Sequence, residues 1–463
     1  MKATIFCILL FLFTGLNYAQ DQYQVASDAI KKNDFKKALE ISKSLLSHDS
    51  TDQAIKILVE LTSHDSTDKG GYISLGDAYS KMSVLELALE DYKHAERIDS
   101  LDVQVKFKIA DVLYKQKSYT DAANKYLQVI ALDSNNITAY DKVGELLYYA
   151  KQYSNAAFYL TKYLTFDKKN NKVYSLAANA LYVMNNFELA AKTSEEGLQN
   201  FPQSNDLKRI DALSLAYTKK TDDAIKMANT TPDTLFSAWD NYVLGVSFLN
   251  AQKDSIAIIF LKNALQKDTA YITKTADLIA TKYFREGKYD SAIVYYDKKI
   301  SADPTNLSAH INKGICAFQI KNYDAARATL LDAIKIKPDY ISAYLWLART
   351  YRSADSTDEA GVAYKKVISL AQGTEDSHKD ELAEAYGDFF GINDLIKKRY
   401  SSAIDNLKQA ITYKPNEPRY HLWLAQAYAL SGKKDGAAVE YRKVLQLDPK
   451  NADAKKGLKL ITD

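Results

Sequence analysis

Residues 69–102 read KGGYISLGDAYSKMSVLELALEDYKHAERIDSLD, and the same pattern of apolar and small residues recurs in the next 34 residues. Apolar residues three and four positions apart predict two helices in this stretch, separated near Met82–Val84. A small residue in each helix returns with a fixed period of 34. Small residues at such positions allow two helices to cross closely, so the period predicts a helix–turn–helix repeat. The two series are Gly76, Ala110, Gly144, Ala178 and Ala212 in the first helix, and Ala88, Ala122, Ala156, Ala190 and Ala224 in the second.

Prolines mark the same period, because Pro304 and Pro338 are 34 residues apart, as are Pro415 and Pro449. A proline after the second helix ends that helix. The combination Leu424-Ala425 with Tyr428, Ala437, Tyr441 and Pro449 resembles the tetratricopeptide repeat family, as do Leu75-Gly76 with Tyr79, Ala88, Tyr92 and Ala95. The resemblance implies an all-α fold, an α-solenoid of about twelve helix–turn–helix repeats that forms a right-handed superhelix with a concave groove. The repeats are expected to begin near residues 19, 69, 103, 137, 171, 205, 238, 273, 307, 341, 380 and 418.

Three stretches depart from the period. The hexapeptide Ser47 to Asp52 returns as Ser63 to Asp68, with one apolar helix between the copies, which indicates half a repeat. The second helix of the repeat at 205 is expected to end early, near Asn229, and the repeat at 380 contains about four extra residues. The predicted organisation is a secretory signal peptide at 1–19, a repeat plus half repeat at 20–68, a continuous array at 69–451 and a capping helix at 452–463.

The first residues predict export. Lys2 precedes an apolar run from Ile5 to Leu16, and Asn17-Tyr18-Ala19 would form the cleavage site. An uncleaved anchor, or a lipoprotein attached through Cys7, is an alternative. The prediction is a chain without a transmembrane span after cleavage, located in the periplasm or associated with the outer membrane.

Composition gives no indication of nucleic-acid binding or catalysis. Among 463 residues, 61 Lys and Arg oppose 58 Asp and Glu, so the net charge of +3 attracts neither nucleic acid nor anionic membrane in bulk. The sequence has no phosphate-binding glycine loop and no paired metal-ligand motif. His310, His421 and Cys316 fall at positions where packing explains them. We therefore expect no enzymatic activity, no cofactor and no metal.

The predicted binding site is the groove, because the resemblance implies that positions 2, 5, 9, 12 and 13 of each first helix face it. Aromatic side chains with a polar tip are favoured binding anchors. An acidic series lies beside the tyrosines, and two arginines farther along predict a groove that runs from acidic to basic. Half-buried packing for the tyrosines and a solvated surface for the charges are the alternative interpretations. The predicted groove residues are Tyr114, Tyr148, Tyr149, Tyr182, Tyr217, Asp77, Asp111, Glu145, Arg349 and Arg352.

Eight loop triplets share the form Asp, then Ser or Thr, then an apolar residue or Thr. Each is similar to the acceptor of the O-glycosylation system of Bacteroidota, which acts on exported proteins. The alternative is that these residues cap helix N-termini. The candidate acceptors are Ser50, Ser66, Ser100, Thr234, Ser255, Thr269, Ser291 and Ser356.

These observations predict a non-enzymatic scaffold of the cell envelope that holds a peptide segment or helix of a protein partner in the groove. Secretion, outer-membrane assembly and surface-structure assembly are the expected settings. The alternative is a glycan-binding or glycan-processing accessory protein, because tyrosine rings also suit sugar rings. An enzyme and an end-to-end self-assembler are further hypotheses. Neither the partner nor the oligomeric state follows from the sequence.

Overall fold

The computed structural model describes residues 18–462, and every regular element within that range is helical. The predicted fold class, an all-α solenoid of about twelve helix–turn–helix repeats, is confirmed. The predicted signal peptide lies almost entirely outside the described residues. The chain divides into two compact units, Met1–Phe236 and Ser237–Asp463.

The first unit contains thirteen described helices, of which the first covers residues 18–31. They are α1 (18–31), α2 (Phe35–Ser47), α3 (Thr51–His64), α4 (Lys69–Lys81), α5 (Leu85–Ile98), α6 (Val103–Lys115), α7 (Tyr119–Leu132), α8 (Ile137–Tyr149), α9 (Tyr153–Phe166), α10 (Asn171–Val183), α11 (Phe187–Asn200), α12 (Asn205–Tyr217) and α13 (Thr221–Thr230).

The second unit continues the alternation of first and second helices. Its helices are α14 (Ala238–Asn250), α15 (Asp254–Lys267), α16 (Ile272–Arg285), α17 (Tyr289–Ala302), α18 (Leu307–Gln319), α19 (Tyr323–Ile336), α20 (Ile341–Ser353), α21 (Thr357–Leu370), α22 (Lys379–Ala383), α23 (Ile392–Ile396), α24 (Tyr400–Tyr413), α25 (Pro418–Leu430), α26 (Lys434–Leu447) and α27 (Ala452–Thr462). A π-helical segment, Glu384–Gly391, joins α22 to α23 without a break.

Each repeat packs a small residue of its first helix against a large residue of its second. A Cβ atom built on Gly144 in α8 would lie 2.5 Å from the Leu160 side chain in α9. On Gly76 in α4, it would lie 2.6 Å from the Tyr92 ring in α5. Distances this short leave no room for a methyl group. The period-34 small residues therefore mark the closest approach of the two helices.

The turn between the two helices requires a left-handed backbone at one residue in almost every repeat. This residue is Lys117 (φ 63°) between α6 and α7 and Lys151 (φ 60°) between α8 and α9. Glycine, which adopts this conformation without strain, occupies the position at Gly287 and Gly432. Most repeats thus accept a modest backbone penalty at their turn.

The half repeat expected near the N-terminus is the single helix α3, which packs against both α2 and α4. Helix α2 also contacts α4 directly, as α8 contacts α10 and α10 contacts α12 in the later repeats. Lys81 of α4 bonds to the backbone oxygen of Leu46 at 3.2 Å and to the Asp49 carboxylate. Three helices, α1 to α3, thus precede the repeat that begins with α4.

The other two departures from the 34-residue period correspond to irregular helices. Helix α13, at 10 residues, is shorter than the 14-residue second helices of the preceding repeats and is followed by a short 3₁₀ turn at Asp233–Leu235. The extra residues of the repeat at 380 lengthen its first helix and produce the π-helical segment. Such segments often occur where an insertion has been accommodated near a functional position.

Candidate functional site

Predicted groove tyrosines lie on the first helices α6, α8, α10 and α12 of the first unit, and we call this surface the tyrosine face. The rings of Tyr182 and Tyr217 meet across two repeats, with centroids 6.1 Å apart. Tyr149 is 64% exposed and Tyr217 is 40% exposed. Tyr114, Tyr148 and Tyr182 are half-buried. The face therefore combines rings fixed by packing with rings open to a ligand.

Each half-buried tyrosine packs on the aromatic residue that begins the second helix of its own repeat. The ring pairs Tyr114–Tyr119, Tyr148–Tyr153 and Tyr182–Phe187 have centroids 5.7, 5.6 and 5.5 Å apart, in edge-to-face geometry. Such pairs stabilise beyond the area that they bury. The second-helix aromatics were absent from the sequence prediction, although they recur with the same period of 34.

Polar contacts hold the tyrosines across repeats. The Asn179 amide of α10 donates a hydrogen bond to the Tyr148 hydroxyl of α8. The Lys142 ammonium lies 4.9 Å from the centre of the Tyr114 ring, a cation–π distance. Burial raises the pKa of Tyr148 above its ordinary value. The phenol therefore remains neutral and can act as a hydrogen-bond donor or acceptor at physiological pH.

The first two members of the predicted acidic series are bonded within the chain. The Tyr92 hydroxyl and the Lys108 ammonium each lie 2.6 Å from the Asp77 carboxylate. The Tyr126 hydroxyl donates to Asp111 in the same way. Burial, reinforced by these carboxylates, raises the pKa of both Tyr92 and Tyr126. These Asp side chains thus join the two helices of a repeat.

Glu145, the third member of the series, is only 8% exposed. Lys172 of the next repeat donates to its carboxylate at 2.5 Å. A charge-assisted bond of this length offsets the cost of burying the carboxylate. The structure therefore places all three acidic residues at contacts within or between repeats.

Asp77 also lines a cavity between α2 and α4, of about 490 Å³. Three of the other four α4 residues on its wall, Gly70, Ile73 and Lys81, occupy the groove positions 2, 5 and 13 of the repeat at 69, and the fourth is Ser74. Helix α2 contributes Lys43, Leu46 and Ser47. Helix α2 thus lies beside part of the surface that the sequence assigned to the groove.

The predicted arginines lie in the second unit beside the π-helical segment. Arg349 makes a two-point ion pair with Glu384, at 2.9 and 2.5 Å, and the Tyr364 hydroxyl donates to the same carboxylate at 2.8 Å. Burial opposes ionisation of Glu384, but these donors outweigh it and hold the pKa of that carboxyl below its ordinary value. Arg352 is exposed. Arg349 therefore anchors the π-helical segment, while Arg352 faces solvent.

A small cavity of about 290 Å³ adjoins this ion pair. On its wall, the Tyr420 hydroxyl donates to Asp388 at 2.8 Å, and Arg419 pairs with the same carboxylate at 3.1 Å. Burial raises the pKa of Asp388 despite these two partners. Glu384 and Asp388 are thus both held by donors of the protein, an arrangement that stabilises the irregular helix.

The cysteine and histidine side chains considered in the sequence as reactive or metal-binding groups contribute to packing in the structure. Cys316 is fully buried, and burial raises the pKa of its thiol to about 12. His310 bonds to the Pro304 carbonyl at 3.0 Å, and His421 bonds to the Pro415 carbonyl at 2.9 Å. In residues 18–462, no three His, Cys, Asp or Glu side chains are grouped to hold a metal ion.

The loop triplets combine exposure with a local structural role. In three of them, the Asp carboxylate accepts the backbone N–H two residues later: Asp65 from Thr67 at 2.9 Å, Asp99 from Leu101 at 3.1 Å and Asp268 from Ala270 at 2.8 Å. These turns explain the Asp at the first position. Five candidate acceptors are exposed, namely Ser66, Ser100, Thr234, Ser255 and Thr269, and three are half-buried, namely Ser50, Ser291 and Ser356.

The fold and the repeat geometry define the chain as an α-solenoid repeat protein. Models of the tetratricopeptide repeat match residues 73–137, 283–345, 341–374 and 395–459. The remaining repeats follow the same period and helix geometry. The first helix of the repeat at 103, for example, begins at Val103 and that of the repeat at 137 at Ile137.

Among curated proteins, the chain is similar to RNA polymerase II-associated protein 3 of Xenopus laevis, at 25% identity over 37% of this chain and 27% of that protein. It is similar to human DnaJ homolog subfamily C member 7, at 32% identity over 22% of each chain. Human protein O-mannosyl-transferase TMTC3 matches at 24% identity over 37% of this chain and 19% of that protein. The chain thus spans no more than 27% of the length of these relatives.

Solved structures with similar helices include the MamA protein, at 24% identity and a TM-score of 0.34, over 40% of this chain and 95% of that one. The C-terminal part of a tetratricopeptide protein from Cytophaga hutchinsonii matches at 20% identity and a TM-score of 0.33, over 68% and 98% of the two chains.

Proposed function

We propose that this protein is a non-enzymatic scaffold that binds a segment of a protein partner on the tyrosine face. The observation that carries the proposal is the exposure of Tyr149 and Tyr217 beside rings that are held in place by neighbours. Stacking on Phe187 fixes the Tyr217 ring, with centroids 4.0 Å apart. Exposed aromatics that are rigid before binding lose little conformational freedom on contact, which makes them effective anchors.

The polar surroundings favour a peptide as the bound group. The tyrosine hydroxyls can bond to backbone N–H and C=O groups of an extended segment or to one face of a helix. Because Asp77, Asp111 and Glu145 already bond within the chain, we assign the main binding energy to the rings. The acidic residues then act by keeping the first helices in register.

The proposed setting is the cell envelope, in secretion, outer-membrane assembly or surface-structure assembly. The support is the basic start, apolar run and small residue that precede Gln20. This run lies outside the described residues. Within residues 18–462, no helix has both the length and the apolar character needed to cross a membrane. The exposed loop triplets, for example Ser100 and Thr234, are consistent with glycans added to an exported chain.

Crosslinking and pull-down from cell envelopes tests the proposal with the full chain as bait. The test variant is the pair Tyr149→Ala and Tyr217→Ala, because truncating the half-buried Tyr148 would also remove packing against Tyr153. The matched control is Phe158→Ala, since Phe158 is 63% exposed and lies on α9, the second helix of the same repeat. Melting curves first establish that all three proteins are equally folded.

We expect one protein to crosslink to the wild type and to Phe158→Ala, and to be at least tenfold depleted with the double variant. Equal capture by all three would show that the tyrosine face is not the binding surface. If carbohydrate is retained in place of protein, the glycan-binding alternative replaces the scaffold.

A further inference from the structure

Position 7 of the first helix carries a buried apolar residue in the repeats of the first unit that begin at 69, 103, 137 and 171. Those residues are Leu75, Ile109, Val143 and Ala177, each at most 4% exposed. In the repeat at 205, the same position carries Asp211, which is equally buried at 4% exposure. A carboxylate at a core position is destabilising unless it serves a purpose or has partners.

The Asp211 carboxylate has neither a hydrogen-bond donor nor a cation as a partner within the described residues. Among the described residues, nothing donates a hydrogen bond to its carboxylate and no cation lies within ion-pair distance. Burial raises the pKa of Asp211 to about 7, with the charges of Glu195 and Asp223 adding to the effect and that of Lys220 opposing it. Glu384, by contrast, is half-buried and has Arg349 and Tyr364 as donors.

The Asp211 side chain instead lines a cavity of about 670 Å³. Helix α11 forms one wall with Lys192 and Glu195. The other wall is formed by Asp223 of the short helix α13 and by Lys220, the residue that precedes that helix. Met227 of α13 supplies apolar surface. All of these elements belong to the first unit, and α11 and α13 are second helices, whereas the tyrosine face is built on first helices.

We propose that this cavity binds an alkylammonium or guanidinium group, with the Asp211 carboxylate as the acceptor at its floor. A cation that donates hydrogen bonds would supply what the carboxylate lacks, and the flanking Glu195 and Asp223 add negative potential. The apolar side of Met227 can pack against the carbon chain that carries the charged group. The proposal goes beyond partner binding on the tyrosine face, because the second helices α11 and α13 enclose the cavity, although Asp211 itself lies on α12, the helix that also carries Tyr217.

Metal binding does not fit the cavity. The described residues contain no cluster of carboxylates close enough to share an ion. The ammonium groups of Lys192 and Lys220 at the cavity wall can instead bind an anionic or carbonyl group that the ligand carries beside its cation. Such a cation is either a free organic amine or an arginine or lysine side chain of a polypeptide.

Isothermal titration calorimetry on the full chain tests the proposal with two probes. L-argininamide represents a free cation, and the blocked peptide acetyl-Gly-Arg-Gly-amide represents a side chain within a polypeptide. We expect at least one probe to bind the wild type with one-to-one stoichiometry, and more tightly at pH 8 than at pH 5.5, where the carboxyl group is protonated. Tighter binding of the peptide would assign the site to a protein partner, and equal binding would assign it to the free cation.

Two variants of Asp211 provide the controls. Asp211→Asn keeps the shape but removes the charge, and Asp211→Leu restores the apolar residue found at Leu75. Both should bind each probe at least tenfold more weakly, and the Leu variant should melt at a higher temperature than the wild type. The proposal is overturned if neither probe binds the wild type, or if Asp211→Asn or Asp211→Leu binds as tightly as the wild type does.

Discussion

The rings of Phe187 and Tyr217 lie face to face across two consecutive repeats, with centroids 4.0 Å apart and planes within 4° of parallel. Phe187 begins a second helix and Tyr217 ends the first helix of the next repeat. The contact therefore connects repeats at the edge of the tyrosine face. It holds the exposed tyrosine in the orientation in which we propose that it meets a partner.

This stack should be measurable as a coupling free energy. We expect Phe187→Ala and Tyr217→Ala to be non-additive, with a coupling of about 0.5–1.5 kcal/mol in the free energy of unfolding. Urea unfolding of both single variants and the double variant measures it. The control cycle pairs Tyr217→Ala with Phe158→Ala, because the Phe158 ring packs on Tyr159. Equal couplings in the two cycles would contradict a specific stack.

The Arg349–Glu384 pair should make stability fall at acid pH. The pKa of Glu384 is held below its ordinary value of 4.5 in the folded chain. The unfolded chain thus binds the proton first as pH falls, so the stabilisation is complete above about pH 5 and is lost below the folded pKa.

Replacing Glu384 by Gln leaves the half-buried guanidinium of Arg349 without its counter-charge. We expect Glu384→Gln to lower the free energy of unfolding at pH 7 by about 3 kcal/mol. Its unfolding should also be less sensitive to pH between 3 and 5 than that of the wild type. Circular dichroism melts over this range check both statements, and a wild-type pH dependence retained in the variant would show that other carboxylates cause it.

Asp211 should have the opposite pH dependence. Its folded pKa of about 7 lies above its ordinary value of 3.8, so the folded chain binds the proton first as pH falls. The free energy of unfolding should therefore decrease as pH rises from about 4 to about 7, by up to about 1.4 kcal/mol per pH unit. Above pH 7 this contribution is flat. The charged groups around Asp211 are Glu188, Lys192 and Glu195 on α11, Asp223 and Lys226 on α13, and Lys220 just before α13.

Comparing wild type with Asp211→Asn isolates this contribution. The difference between their free energies of unfolding should change by about 2 kcal/mol between pH 5 and pH 8, with the wild type relatively less stable at pH 8. Urea titrations at the two pH values measure it. A constant difference would mean that the carboxyl group is solvated in solution.

At the left-handed turn residues, replacing glycine should lower the stability of the fold, and introducing glycine should raise it. Gly287 has φ 71° and open space around a built Cβ, so Gly287→Ala should destabilise the chain by about 1 kcal/mol through the backbone alone. Lys151→Gly relieves the same strain between α8 and α9 and should stabilise by a few tenths of a kcal/mol, since glycine also loses more entropy on folding. Thermal unfolding distinguishes the two signs, and the same sign for both would refute the turn as the cause.

The sequence predicts the helices well because the constraint on them is local and repeated. The first helices begin at Lys69, Val103, Ile137 and Asn171, where the period places the start of each repeat. Small residues such as Gly144 had to occur where large ones such as Leu160 cross them. A repeat with a large residue at the small position could not bring its two helices into close contact.

The pairing of side chains is less predictable from the same pattern. Asp77 and Tyr92 are 15 residues apart on two helices, and only the angle between the helices brings the hydroxyl to the carboxylate. Glu384 meets Arg349 because of the π-helical segment, which the sequence shows only as extra residues. Asp211 is different, because the alignment of position 7 already sets it apart from Leu75, Ile109 and Val143.

Helix α3 makes three helices before α4, where whole repeats would place an even number. The two copies of the hexapeptide that flank it begin at Ser47 and Ser63, 16 residues apart. Removing residues 47–62 would delete that helix and leave one intact hexapeptide, with no new junction sequence. A genetic slip between the copies would thus change the number of helices before α4 from three to two without altering any other residue.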